Sequence, residues 1–313
     1  MPALTGFVNF NPEKDIGSLK GKVIFITGGT AGLGSESVQA LAKHDPAHIY
    51  FSGRNARKGE ALIEKIKRET PTASLTFIEI DLSSLASVKA GSRKFAHDRL
   101  DILICNAGIM EAPPELSKDG YEIHFATNHL GHAMLIREFL PLLVETTKTP
   151  GADVRVVILT SVGAGLHPKC GVDFQGVLTK QDSGIAKFQR YSVSKFANVV
   201  YASEIARRHP DITAVSVHPG VVETDLVLNL APMMRRLVYI VNFMKGVSLL
   251  KPQQGALNQL WVAAGSRKDE LVNGAYYEPV GVMCNHRMTA MMKNERFAGE
   301  LWDWTEKALD QVD

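Results

Sequence analysis

KVIFITGGTAGLGSESVQALAK, residues 22–43, reads as a buried strand, a glycine-rich turn and a helix in direct succession. Its first residues are continuously apolar, as a strand covered on both faces requires. Gly28, Gly29, Gly32 and Gly34 let the backbone turn tightly and approach a neighbour without Cβ clashes, and the helix that follows offers unpaired N–H groups and a positive dipole end. The turn suits a pyrophosphate. Taken alone it is equally a plain strand-to-helix turn, and its place directly after the first buried strand gives it weight.

Outward from that stretch the same alternation recurs. The runs HIYFSG, SLTFIEI, DILICNAG, RVVILTS and TAVSVHPG begin near residues 48, 74, 101, 155 and 213, and GAYYEP near 274 closes the series. Amphipathic stretches such as KGEALIEKIKRET and AKFQRYSVSKFANVVYASEIARR lie between them. The expectation is an α/β fold, a Rossmann-like doubly wound parallel sheet of about seven strands with helices on both faces. No composition break or repeat divides the chain, so residues 1–313 read as a single domain. Two regions fall outside the alternation: a long connection over 162–186 and an apolar, methionine-bearing segment over 222–251. Residues 287–312 read as a terminal helix.

Composition narrows the function. The 313 residues are 45% apolar and 22% charged with a net charge of +2, which fits a globular protein and leaves no basic footprint for nucleic acid. Cys105, Cys170 and Cys284 are far apart and lack metal-ligand spacing, so no metal site is expected and a reducing compartment, the cytoplasm, is the simplest reading. The N-terminus lacks a basic region followed by an apolar run and is not read as a signal peptide. No apolar run is long enough to span a bilayer; 226–250 is interrupted by Arg235, Arg236 and Lys245, and contact with a membrane surface stays open for it.

The second strand ends in Gly53-Arg54, where an NAD site usually presents an acid to the ribose 2′-OH. Arg54, with Arg57 and Lys58 close behind, would instead pair with a 2′-phosphate, so NADP(H) is the expected cofactor. The bland alternative is a solvated loop arginine. The third strand ends in Ile80-Asp81-Leu82, where Asp81 either caps the next helix or accepts a hydrogen bond from an adenine amino group.

Hydride transfer to a carbonyl creates an alkoxide that needs a proton donor. Tyrosine is a poor donor at its free pKa, and a nearby ammonium would favour the phenolate. Tyr191 and Lys195 are four apart and share a helix face. Such a pair is often surface decoration; Ser161, ending the fifth strand and able to bond a substrate oxygen, raises its weight.

At this point the residues resemble the short-chain dehydrogenase/reductase family over roughly residues 20 to 280, through Thr27 to Gly34, Asn106-Ala107-Gly108 and Tyr191 to Lys195. FATNHLGHAMLIREFLPLL and the tail from KPQQGA to NGAYYEPVG are most similar to its retinol-dehydrogenase-like branch, fungal reductases included. The resemblance implies that Asn128 holds a water linking lysine to solvent, Ser161 orients substrate, Tyr191 is the acid/base, and Lys195 binds the nicotinamide ribose and depresses the tyrosine pKa. For the cofactor it implies Gly28, Thr30, Gly32, Leu33 and Gly34 at the turn, Asp81 and Leu82 after the third strand, and Asn106, Ala107 and Gly108 beside the adenosine ribose. Pro219, Gly220, Val222 and Thr224 would hold the nicotinamide. Two departures stand out: Ala31 occupies a position where some NADP-preferring members carry a base, and the interval from Ser161 to Tyr191 is long.

By the same resemblance, 222–251 is a substrate lid. Leu226, Leu230, Met233, Met234, Val238, Tyr239, Ile240 and Phe243 suit a bulky apolar substrate, or packing against the body or a second copy. His167 and His218 have no motif behind them and read as structural; Trp261, Trp302 and Trp304 read as helix packing. A small-molecule carbonyl or alcohol is the expected partner. The alternatives are an isomerase, dehydratase or cyclase on the same fold, and a cofactor-binding regulatory protein, which would not need the proton relay.

Overall fold

The computed structural model describes residues 7–184, 186–223 and 249–311. Its strands are β1 Val23–Ile26, β2 His48–Gly53, β3 Leu75–Glu79, β4 Ile102–Cys105, β5 Val154–Leu159, β6 Ile212–Val217, β7 Tyr276–Glu278 and β8 Val282–Met283. They form one sheet in the order β3-β2-β1-β4-β5-β6-β7-β8. Every pairing is parallel except that of β7 with β8. The seven expected strands are all present. β8 is the addition, a two-residue edge strand that turns back on β7.

The helices are α1 Pro12–Asp15, α2 Gly32–Ala42, α3 Ala56–Glu69, α4 Leu85–Ser92, α5 Ile123–Phe125, α6 Gly131–Thr147, α7 Ala186–Arg208, α8 Pro252–Leu260 and α9 Glu295–Leu309. Between α5 and α6 the chain makes a π-helical turn, Ala126–Leu130, and a second such turn, Trp261–Gly265, extends α8.

Alternate residues of the apolar strands enter two separate cores. Val23, Phe25, Leu103 and Val156 face α6 and α7 with Phe125, Phe139, Phe196 and Trp302. Ile24, Ile26, Ile104 and Val157 face the other layer with Leu41, Leu62, Leu260 and Trp261. A sheet covered on both faces has no polar face, which is why these strands read as unbroken apolar runs. Phe25 packs on Tyr50, Phe95 and Phe139. Truncating such a ring to alanine costs about 3–5 kcal/mol.

The terminal helix is shorter than the expected 287–312. Asn294 accepts from Phe297 N–H and caps α9, while Asn285–Arg287 is a separate 3₁₀ turn. The strand order reverses between β1 and β4, with the strands still parallel, and in open parallel sheets ligands bind beyond the carboxyl ends at such a switch point. The segments after β1, β2, β3, β4, β5 and β6 all emerge at that edge.

Candidate active site

The turn after β1 approaches the end of β4 as closely as backbones can. A Cβ on Gly28, which has φ +65°, would lie 3.0 Å from Ala107 Cα. A Cβ on Gly34 would lie 2.6 Å from Asn106 Nδ2, so glycine there lets α2 close onto the turn. Asn106 Nδ2 donates to the Thr27 carbonyl at 2.8 Å, and Ala107 N–H donates to Thr27 Oγ1 at 3.0 Å. These bonds lock the turn to β4. Gly32 also has a positive φ, and α2 starts with Ala31 at its N-cap and no side-chain cap, so its first N–H groups face the crevice unpaired by a side chain. Leu33 packs into the second core. A turn whose Cβ positions are filled by its own neighbours, beside an uncapped helix start, fits a dinucleotide pyrophosphate.

Around it, Thr30 lies over Gly53: a Cβ there would meet Thr30 Oγ1 at 2.9 Å. Steric fit therefore favours glycine where an acid would otherwise stand. Arg54 is exposed and makes no ion pair with a described residue. Asp81 is half-buried and accepts from Ser83 N–H and Oγ at 3.0 and 2.7 Å. The cap of α4 is Ser84. Leu82 is buried, its carbonyl against Gly131 at the start of α6.

The reacting groups come from three elements: the turn after β5, the π-helical turn and α7. Ser161 follows β5 and accepts from Gly163 N–H at 3.1 Å. A Cβ on Gly163 would lie 3.4 Å from Ser161 Oγ and 3.7 Å from Tyr191 Cε1, which brackets the two side chains. Ser192 Oγ donates to the Gly163 carbonyl at 2.7 Å and fastens α7 to this turn. Asn128, in the π-helical turn, donates to the Ile109 carbonyl at 3.0 Å and to Ser194 Oγ at 2.9 Å, while its Oδ1 accepts from Ile109 N–H at 2.8 Å. Ser194 Oγ donates in turn to the Tyr191 carbonyl at 2.7 Å. A Cβ on Gly108 would sit 3.1 Å from Asn128 Oδ1 and 3.2 Å from Lys195 Nζ. Gly108, Asn128 and Lys195 thus share one space.

Electrostatics depart from one expectation. Burial raises the Tyr191 phenol above its ordinary value, and a hydrogen bond with Ser161 offsets part of that; Lys195 is not among the groups shifting it. Burial lowers Lys195 to about 8. Its ammonium donates to the Leu159 carbonyl at 3.0 Å.

Pro219 and Gly220 are partly buried, and Gly220 has φ +90° with Leu250 Cδ1 2.7 Å from its Cβ position. Val222 is buried and pairs with Leu250 as an isolated parallel bridge. Backbone bonds from Glu223 N–H to Leu250 and from Leu250 N–H to Val221 seal the two stems. Thr224 and the expected lid residues from Leu226 to Phe243 lie outside the described residues.

Sequence reasoning missed two groups. Arg190, the residue before Tyr191, is buried and donates to the carbonyls of Ala112 and Pro113 at 3.1 and 3.3 Å, and it pairs with buried Glu122 at 3.5 Å. Glu122 Oε1 accepts from His124 Nδ1 at 2.8 Å, and His124 Nε2 accepts from Ala112 N–H at 3.2 Å. This strut holds the backbone after Gly108 beside the Tyr191 ring, which meets His124 edge-on. The second group, His129 and His132, flanks Asn128. A signal existed in both cases: polar residues, Glu122 and His124 in one and His129 and His132 in the other, within a mostly apolar run. His167 is structural as expected, bonding Pro168 O and Thr289 Oγ1 at 2.6 and 2.8 Å.

Comparison with known proteins agrees with this geometry. Residues 22–172 match the model of the short chain dehydrogenase family. The short-chain dehydrogenase/reductase drtF of Aspergillus calidoustus is 34% identical over 308 residues, covering 93% of this chain and 95% of the relative. Retinol dehydrogenase 11 of Homo sapiens is 32% identical, covering 91% and 85%. A crystallised protein from Mycobacterium Paratuberculosis superposes with a TM-score of 0.72 at 26% identity, covering 95% of this chain and 96% of that one. The NADPH-bound carbonyl reductase from chicken fatty liver, at 21% identity, has the same fold, with a TM-score of 0.63 and coverage of 90% and 99%. The chain belongs to the short-chain dehydrogenase/reductase family, in its retinol-dehydrogenase-like branch. It is an oxidoreductase with a nicotinamide-dinucleotide fold.

Proposed function

We propose that this chain is an NADP(H)-dependent reductase or dehydrogenase that moves a hydride between nicotinamide and a ketone, aldehyde or alcohol carbon, with Tyr191 as acid/base. The observation carrying the proposal is the meeting of Ser161 and Tyr191 at one end of a bonded path that runs from Tyr191 through Ser194 to Asn128, beside Lys195 and Gly108. When bound, the cofactor supplies or accepts the hydride. In reduction, Ser161 bonds the substrate oxygen and Tyr191 delivers its hydroxyl proton to that oxygen as negative charge develops. Lys195 is assigned to the nicotinamide ribose, and Asn128 to ordering the water through which a proton returns. Gly28, Thr30, Gly32, Leu33 and Gly34 take the pyrophosphate side, with Asp81, Leu82, Asn106 and Ala107 around the adenosine and Pro219, Gly220, Val222 and Thr224 at the nicotinamide.

The preference for NADP(H) rests on exposed Arg54 following Gly53. A bulky apolar substrate is favoured by Val162 and Leu166, which are 43% and 74% exposed on the turn directly after Ser161. The composition of 222–251, read as a substrate lid, points the same way. No helix among the described residues is long and apolar enough to cross a membrane. Cys105, Cys170 and Cys284 are all free, which supports a reducing compartment such as the cytoplasm. We read residues 1–313 as one catalytic unit. The test is NADPH oxidation by the purified chain over a panel of ketones and aldehydes graded in size. Turnover that increases with apolar bulk supports the reading, and absence of any NADPH oxidation refutes it.

A further inference from the structure

The histidine at 132 has no part in the chemistry just described, yet it is buried within the frame of the site. It is 2% exposed in the first turn of α6. Its Nδ1 lies 2.9 Å from the carbonyl oxygen of Asn128, and its Nε2 lies 2.9 Å from Thr27 Oγ1. A carbonyl only accepts, so Nδ1 carries the hydrogen. Burial lowers this imidazole to about 4, with a smaller contribution from the Lys195 charge, so the ring is neutral and Nε2 accepts from the threonine hydroxyl. Thr27 Oγ1 also accepts from Ala107 N–H. The Ile104 carbonyl lies 3.5 Å from Thr27 Oγ1, a longer contact than the 2.9 Å to His132 Nε2, so the hydroxyl proton goes to the histidine and the chain of bonds runs from Ala107 through Thr27 and His132 to Asn128.

This chain joins two things of different purpose. At one end stands Thr27, whose backbone carbonyl also receives Asn106 and which opens the glycine turn. At the other stands the π-helical turn that aims the Asn128 side chain at Ile109 and Ser194. π-Helical turns interrupt the regular ladder and are common at functional sites, so their carbonyls need partners from elsewhere. His129, its neighbour in that turn, is held from the opposite side by Thr305 at 3.1 Å and by Asn198.

We propose that His132 is a positioning residue that couples the dinucleotide-holding turn after β1 to the turn carrying Asn128, through Thr27 on one ring nitrogen and the Asn128 carbonyl on the other. The proposal rests on the function assigned above. Ordering the glycine turn then also orders Asn128, and loss of the imidazole separates the two. Misplacement by about 1 Å of a group in a reacting frame costs on the order of 10²-fold in rate.

The test compares the unmodified protein with His132→Leu and with Thr27→Val, which cuts the same chain from its other end. Hydrogen exchange is followed by mass spectrometry with and without NADPH. In the unmodified protein NADPH should protect both 27–34 and 126–130. In His132→Leu protection of 27–34 should persist while that of 126–130 is lost. Thr27→Val, which also gives up the Ala107 N–H bond, should likewise lose protection of 126–130, and the double variant should protect 126–130 no less than the worse single one. With a carbonyl substrate, kcat should fall on the order of 10²-fold while KM stays within about threefold, the pattern of a lost positioning contact. Unchanged protection of 126–130 in a folded variant, or independent additive losses, would overturn the proposal. Failure of the functional reading would appear separately, as absent turnover in the unmodified protein, and would leave the exchange result standing.

Discussion

Lys195 Nζ and Asn198 Nδ2 each lie 3.0 Å from the same acceptor, the carbonyl oxygen of Leu159 at the end of β5. Two donors one helical turn apart on α7 thus grip one strand end, and Thr160 Oγ1 returns a bond to the Lys195 carbonyl at 2.7 Å. The ammonium is held by backbone rather than by a carboxylate. Burial keeps it at about 8, so it stays mostly charged at neutral pH with no carboxylate counter-ion among the described residues.

Tyr191→Phe removes the transferable proton and the Ser161 hydrogen bond while leaving the ring's packing intact. NADPH binding, followed by its fluorescence, should be retained, and turnover should drop by at least about 10²-fold, the lower range for general acid catalysis. Retained turnover would remove Tyr191 from the acid/base role.

Arg54→Asp replaces the guanidinium beside Gly53 with a charge that repels a 2′-phosphate. A charge-assisted bond is worth about 1.5–3 kcal/mol, so NADPH affinity should weaken by roughly 10- to 100-fold relative to NADH. Paired titrations with the two dinucleotides measure this, and an unchanged ratio would place phosphate recognition on other residues.

Gly108→Ala puts a methyl group 3.1 Å from Asn128 Oδ1 and 3.2 Å from Lys195 Nζ. One of the two must give way. The expected result is a kcat reduced by about 10-fold or more with little change in melting temperature, because the conflict lies between polar side-chain ends at the site rather than in the core. Steady-state kinetics with thermal melts separate the two effects.

Acid should destabilise the fold early. Burial lowers His129 to about 3 and His132 and His218 to about 4, against an ordinary value of 6.5. Below 6.5 the unfolded chain takes up protons that these buried rings refuse, so stability is lost as pH falls from about 6.5 toward 4. Each pKa unit is worth about 1.4 kcal/mol per ring. Urea midpoints at pH 7 and pH 5 should therefore differ, and His218→Asn, at a ring whose Nδ1 has no hydrogen-bond partner among the described residues, should narrow the gap.

Much of this was legible in the chain because the signals are local. Apolar runs gave the strands, and α7 begins and ends where its amphipathic pattern does, at Ala186 and Arg208. Glycine spacing after Ile26 and the four-residue step from Tyr191 to Lys195 were enough to point to the candidate site. Other features depend on distant partners. β8 is too short to leave a periodic trace, and α9 starts late because Asn294 caps it. The π-helical turn has the composition of ordinary buried helix, so its geometry is invisible until Asn128 meets Ile109. Helical spacing puts Lys195 near Tyr191, but the ammonium's acceptor comes from β5, and the phenol is raised by burial rather than lowered by the lysine. The Arg190–Glu122–His124 strut joins two helices and a loop whose adjacency no single window contains.

The seam between Val221–Glu223 and Leu250 has an evolutionary corollary. Because Val221, Val222 and Glu223 are paired with Leu250, the ends of the intervening sequence are fixed side by side, and a change in its length costs only a slow rise in loop-closure entropy. Sequence variation between the two stems is thus compatible with keeping the bonds that join Val221–Glu223 to Leu250.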